Sequence, residues 1–162
     1  MKKVIVIGCP GSGKSTFSVA LHKMTGISLY HLDMMYWNAD KTTAKKSVFL
    51  ERLATVMERD EWIIDGNYAS TMELRLEACD TVFFLDFPTE LCLDGVRQRL
   101  GKPRCDIPWI ETEEDVEFME YIKDFAQNQR PEIIALLKKH SDKSIIVFHD
   151  REESDAFLNR VD

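Results

Sequence analysis

The chain has 162 residues, 44% of them hydrophobic and 30% charged, and a formal net charge of −7. That length and balance fit one soluble globular domain spanning 1–162 with a single sizeable core. The negative surface disfavours direct contact with DNA, whose phosphates it repels. The first apolar run, Val4-Ile5-Val6-Ile7, is too short for a signal peptide or a membrane helix, so a cytoplasmic protein without membrane attachment is expected. Cys9, Cys79, Cys92 and Cys105 form no C-x-x-C pair and have no His at ligand spacing, which predicts free thiols rather than a zinc site.

In chain order, the Val4–Ile7 run predicts a strand buried on both faces, and Gly8-Cys9-Pro10-Gly11-Ser12-Gly13-Lys14-Ser15 follows it directly. This stretch satisfies G-x-x-x-x-G-K-[ST], the phosphate-binding P-loop. Its glycines let the chain curl so that successive backbone N–H groups face phosphate oxygens, and the helix that starts there adds its positive end. Gly8, Pro10, Gly11, Ser12, Gly13, Lys14, Ser15 and Thr16 are therefore the candidate nucleotide site, for a purine nucleoside triphosphate with Mg²⁺. Lys14 is expected at the β- and γ-phosphates, the Ser15 hydroxyl on the metal, and Thr16 near the α-phosphate.

Phe17, Ala20, Leu21 and Met24 continue as a helix that Gly26 ends. A second strand over 27–32 delivers Asp33 to the carboxyl edge of the sheet, where ligands bind. There it is a candidate general base for an acceptor hydroxyl, with water-mediated metal binding and plain loop bonding as the other readings. Tyr36 and Trp37 either line an acceptor pocket or pack in the core. Phe49, Leu53, Val56 and Met57 mark the next helix.

The strand Trp62-Ile63-Ile64 leads into Asp65-Gly66. Asp65 is the preferred support for the metal, ahead of Asp86, and also lies on the acceptor side. Ser70-x-x-Glu73 reads as a capping box, opening a helix that carries Arg75, a candidate for holding an anionic acceptor. The strand over 81–85 ends at Asp86, which leads into a helix capped by Thr89 and closed by Gly101. Arg97, Arg99, Lys102 and Arg104 form a local basic cluster, expected as a catalytic lid over the phosphates within 97–131. Thr112-x-x-Asp115 is expected to open a fifth helix. Arg130 falls in a gap and Pro131 in the first turn of a sixth, before a last strand over 144–148. Strands alternating with helices predict an α/β three-layer sandwich.

The P-loop, Tyr30-His31-Leu32-Asp33, the stretch from Trp62 through Asp65-Gly66-Asn67-Tyr68, and Ala78-Cys79-Asp80-Thr81-Val82 through Phe87-Pro88 together resemble the bacterial adenylate kinase-related P-loop family of topology modulation proteins. The resemblance runs over nearly the whole chain. It implies an adenylate kinase-like P-loop NTPase fold with a short lid, a five-stranded parallel sheet in the order 2-3-1-4-5, and ATP as nucleotide. It places Asp65-Gly66 where adenylate kinases support metal and acceptor. The chain departs from adenylate kinases in carrying Asn67-Tyr68 where they carry Phe-Pro-Arg, and in lacking an arginine close after Asp33. The expected function is transfer of the γ-phosphoryl group of Mg·ATP to a small molecule. A nucleoside monophosphate kinase and an ATP-dependent regulatory module linked to DNA topology are the rivals.

Overall fold

Short apolar runs, most of them rich in β-branched and aromatic residues, form the sheet. The computed structural model describes residues 1–160. Its elements are β1 (Lys3–Gly8), α1 (Lys14–Thr25), β2 (Leu29–His31), α2 (Leu32–Tyr36), α3 (Lys46–Met57), β3 (Trp62–Asp65), α4 (Ala69–Ala78), β4 (Thr81–Leu85), α5 (Thr89–Arg99), α6 (Val116–Lys139), β5 (Ser144–Phe148) and α7 (Arg151–Leu158). All five strands are parallel in the order β2-β3-β1-β4-β5, as expected. β1, β3 and β4 lie inside the sheet and are buried almost throughout, which explains their uninterrupted apolar runs.

Handedness sorts the helices into layers. Parallel crossovers are right-handed. α1 leads from β1 one way to β2, while α3, α4 and α5–α6 lead the opposite way, so α1 lies on one face and the others on the second. α7 joins α1: Phe17 and Phe157 meet Phe83 of β4 and Phe148 of β5 at ring distances of 5.0–6.4 Å. All strand carboxyl ends point to one rim, where the P-loop, Asp33 and Asp65 gather.

Several local expectations are corrected. β2 ends at His31, and Asp33 sits in the first turn of α2 instead of closing the strand. Ser70 does not cap α4, which starts behind Tyr68 with no side-chain cap; nor does Thr89 cap α5. Asp115, not Thr112, caps α6 by accepting from Phe118 N at 3.2 Å. The gap at Arg130 and the helix start at Pro131 are absent, because α6 runs continuously over 24 residues with Pro131 inside it. The irregular segment available as a lid is therefore 100–115 only, and 116–131 belongs to α6.

Candidate active site

Gly11 (φ 84°) and Gly13 (φ 91°) hold left-handed conformations that curl the P-loop, and Gly13 precedes α1 without any side-chain cap. The first N–H groups of α1 thus lack side-chain partners and face the cleft, the arrangement that receives phosphate. Lys14 Nζ folds back over the loop, donating to Gly8 O (3.0 Å) and Cys9 O (3.4 Å). Burial pulls its ammonium below the usual value, against the opposing charges of Asp33 and Asp65. Ser12 is buried with an unpartnered hydroxyl, and Thr16 lines the open cleft. The cleft has a volume of about 1070 Å³ and takes in the P-loop, Asp33, Asp65, Arg99 and Arg104.

The last residue of β3 and the three that follow it each do a different job. Asp65 is buried and accepts from His31 Nδ1 at 2.8 Å. Burial alone would lower the His31 pKa, but the Asp65 bond and the charges of Asp65, Asp106 and Asp33 raise it. Gly66 (φ 125°) lets the chain pass Leu32, which a Cβ would meet at 3.0 Å. Asn67 clamps the first P-loop glycine, accepting from Gly8 N (3.1 Å) and donating to Gly8 O (2.7 Å). Tyr68 donates its hydroxyl to Asp33 Oδ1. Burial raises the Asp33 pKa, and the Tyr68 bond and Lys14 charge only partly offset this. A half-desolvated carboxylate thus stands in the same cleft as Lys14.

Arg75 is corrected. It is 0% exposed, donates to the carbonyls of Gly66, Asn67 and Tyr68 and to Thr71 Oγ1, and does not line the cleft, so it is not placed to hold an acceptor. Its work is to hold the 66–68 loop, including Tyr68, whose φ of 36° is strained for a non-glycine residue. Arg97 is corrected too: it pairs with Glu114 (3.0 Å) and Asp94 (3.6 Å) on the surface and does not line the cleft. Arg130 makes a two-armed bond to Asp86 at 2.8 Å for each arm and likewise stays outside that cleft.

Arg99 and Arg104 do reach it. Arg99 Nε is buried without a hydrogen-bond partner, 3.9 Å from Glu111 Oε2, and burial followed by the Arg104 charge lowers its pKa. Arg104 grips Asp106 with two nitrogens (2.9 and 2.7 Å) and Glu111 with another (3.1 Å). Asp106, 6% exposed, accepts from the Ser15 hydroxyl at 2.7 Å. Burial would raise its pKa, yet Arg104 and Ser15 hold it below the usual range.

Sequence reasoning missed Asn67, Tyr68 and Asp106 as site residues, and also Arg151. The Arg151 guanidinium donates to Ser12 O (3.1 Å) and Gly11 O (3.3 Å) from the start of α7 and lines the cleft. The motif Asp-Gly-Asn-Tyr was a signal for Asn67 and Tyr68. Nothing local marked Asp106 or Arg151.

Solved structures match nearly the whole chain. Among them are a shikimate kinase from Bacteroides thetaiotaomicron (19% identity, TM-score 0.56, 98% of this chain and 94% of that one), an unliganded sugar kinase from Janibacter sp. HTCC2649 (17%, 0.58, 99% and 91%), and a shikimate kinase from Acinetobacter baumannii in complex with shikimate (16%, 0.61, 99% and 93%). The chain has the adenylate kinase-like P-loop NTPase fold. No family model and no curated protein matches it. Among the described residues, no helix is long and apolar enough to cross a membrane.

Proposed function

We propose that the chain is an ATP-dependent phosphotransferase acting on a hydroxyl of a small molecule. The observation that carries this reading is Asp33, a partly buried carboxylate with a raised pKa, held by Tyr68 in the cleft that Lys14 enters. The solved structures of like fold bear the names of kinases for shikimate and for a sugar, which supports a small-molecule acceptor.

The glycine-curled loop and the uncapped start of α1 fit a triphosphate, and the oxygen donors beside them fit Mg²⁺. Ser15 would hold the metal, with Asp106, which its hydroxyl bonds, and Asp65, which lines the same cleft, as the carboxylates to support it. Bound there, Mg²⁺ would neutralise charge on the phosphate oxygens. Asp33 accepts the proton of the acceptor hydroxyl as its oxygen bonds to the γ-phosphorus and the bond from that phosphorus to the bridging oxygen breaks, leaving ADP. Lys14 and Arg99 stabilise the charge that spreads over the transferring group.

Arg75 argues against a nucleoside monophosphate kinase, since the cation that would grip the acceptor phosphate is spent on backbone carbonyls. The test is ADP release from Mg·ATP across a panel of metabolites and nucleosides, with product mass as a second readout. Lys14→Ala should cost roughly 3–4 kcal/mol of transition-state stabilisation. A folded Lys14→Ala variant with unchanged ATP binding and turnover would sink the P-loop assignment. Hydrolysis with no phosphorylated product from any acceptor would favour an ATP-sensing module.

A further inference from the structure

Helix α6 is apolar on more than one side. Met119, Ile122, Phe125, Ile133 and Leu137 are buried in the core, Phe125 and Ile133 with an edge on the cleft. A second stripe, Phe118, Tyr121, Phe125, Gln129, Ile133 and Leu136, lines the cleft at spacings of three or four residues, the period of one helix face. Met72 of α4 lines the same cleft, following the Asp65–Tyr68 loop in sequence. The rings of Phe118 and Tyr121 lie parallel, 6.5 Å apart, and Phe125 meets Tyr121 edge-on at 6.3 Å. Tyr121 is 40% exposed, so aromatic surface is left open beside a highly charged site. Such a wall suits the body of a ligand with apolar area to bury. Gln129 Oε1 is buried there without a partner, and a buried acceptor of this kind calls for a donor.

Charge narrows the ligand further. Among the described residues, the cations lining the cleft are Lys14, Arg99, Lys102, Arg104 and Arg151, from α1, α5, the 100–115 loop and α7. Neither α4 nor α6 contributes one; α6 brings Glu132 instead, and Asp33 and Asp65 stand close by. The part of the cleft lined by α4 and α6, here its α4–α6 arm, lies on the sheet face that those helices cover. Thr16 and Arg151 belong to the opposite face with α1 and α7, which leaves the arm clear of a nucleotide base placed on their side.

We propose that the α4–α6 arm binds the body of the acceptor, and that the acceptor is an alcohol with a flat apolar or aromatic body. It is uncharged or cationic and carries an N–H or O–H donor for Gln129. This rests on the phosphotransfer reading above and adds the substrate class to it.

The test offers the whole protein Mg·ATP with five probes and weighs the products by mass. Adenosine and pyridoxine have flat bodies without an anion, AMP and shikimate are anionic, and myo-inositol has no apolar body. At least tenfold higher kcat/KM for adenosine or pyridoxine than for the other three is expected. Preference for AMP, shikimate or inositol overturns the acceptor class and leaves phosphotransfer standing. ATP hydrolysis with no phosphorylated product from any probe overturns both. Tyr121→Arg, at a half-exposed position that tolerates a long side chain, places a cation in the arm. It should raise KM for the neutral acceptor tenfold or more, improve use of its anionic counterpart and leave KM for ATP unchanged. An unmoved acceptor KM in this variant would show that the arm does not touch the acceptor.

Discussion

Asp33 and Tyr68 form a pair whose chemistry is readable from pH. Burial raises the Asp33 pKa above its ordinary 3.8, so the basic form appears only as pH climbs past that raised value. The acid limb of kcat/KM should therefore lie above the ordinary carboxylate range. Asp33→Asn should abolish that limb and lower turnover roughly 10²–10⁴-fold. Tyr68→Phe removes the hydrogen bond that favours the carboxylate, so the limb should move to higher pH while Asp33 still acts. A limb unmoved by Tyr68→Phe would remove Asp33 as its source. The stability consequence has the same sign: a raised native pKa favours the protonated fold, and this contribution is full below the unfolded pKa and lost as pH rises through the folded one. None of this pairing was legible in the sequence, because 35 positions separate the partners and only the fold brings them together. The P-loop was legible because its function is written in contiguous residues.

Between elements, α5 packs tightly against the P-loop at glycines on both sides. A Cβ on Gly95 would meet Gly11 O at 2.0 Å, and one on Gly11 would meet Cys92 O at 2.0 Å. Those distances involve backbone on the far side, which cannot swing away as a side chain would. Gly95→Ala should thus push α5 off the loop, lowering stability by about 1–3 kcal/mol as overpacking does. Nucleotide affinity should fall with it, since the displaced loop is the phosphate cradle. Thermal unfolding and ATP binding together check this; a variant normal in both would mean that the helix shifts freely. Sequence alone gave no reason to single out Gly95, which sits inside a helical pattern where glycine is merely unfavourable. The strands were legible for the opposite reason: each is a run of local preference that burial on both faces reinforces. Pro131 misleads because a residue lacking an N–H suits a helix start, whereas α6 is long enough to carry the missing bond in its interior. Arg75 misled in another way. Its charge suggested an external anion, but its neighbours in space are three carbonyls of one strained loop.

Across the whole molecule, the 100–115 segment ties the two sides of the cleft together. Asp106 bonds the Ser15 hydroxyl on one side, and the Trp109 ring meets Trp37 edge-on at 5.5 Å on the other, with the Lys41 ammonium 5.9 Å from the Trp109 ring. Arg104 ties Asp106 to Glu111 within the segment. Asp106 and Arg104 are nearly buried, with side-chain exposures of 9% and 12%, and removing one charge of such a pair costs up to about 3–5 kcal/mol. Buried Ile107 and the Trp37–Trp109 contact also hold the segment, but it is irregular and lies outside the sheet, so the loss should loosen it before it unfolds the strands. Asp106→Asn should therefore make Trp109 and its partner Trp37 more accessible to a soluble quencher such as acrylamide in the nucleotide-free protein, while Trp62, which is fully buried, stays protected. The melting temperature should change little, because the core β1, β3 and β4 strands do not touch the segment's ion pairs. Mg·ATP should restore part of the protection in the wild-type residue's absence, since Arg99 and the freed Arg104 can then close on phosphate. Unchanged quenching in Asp106→Asn would mean that the tryptophan contact alone holds the segment, and that the bond to Ser15 is incidental to closure.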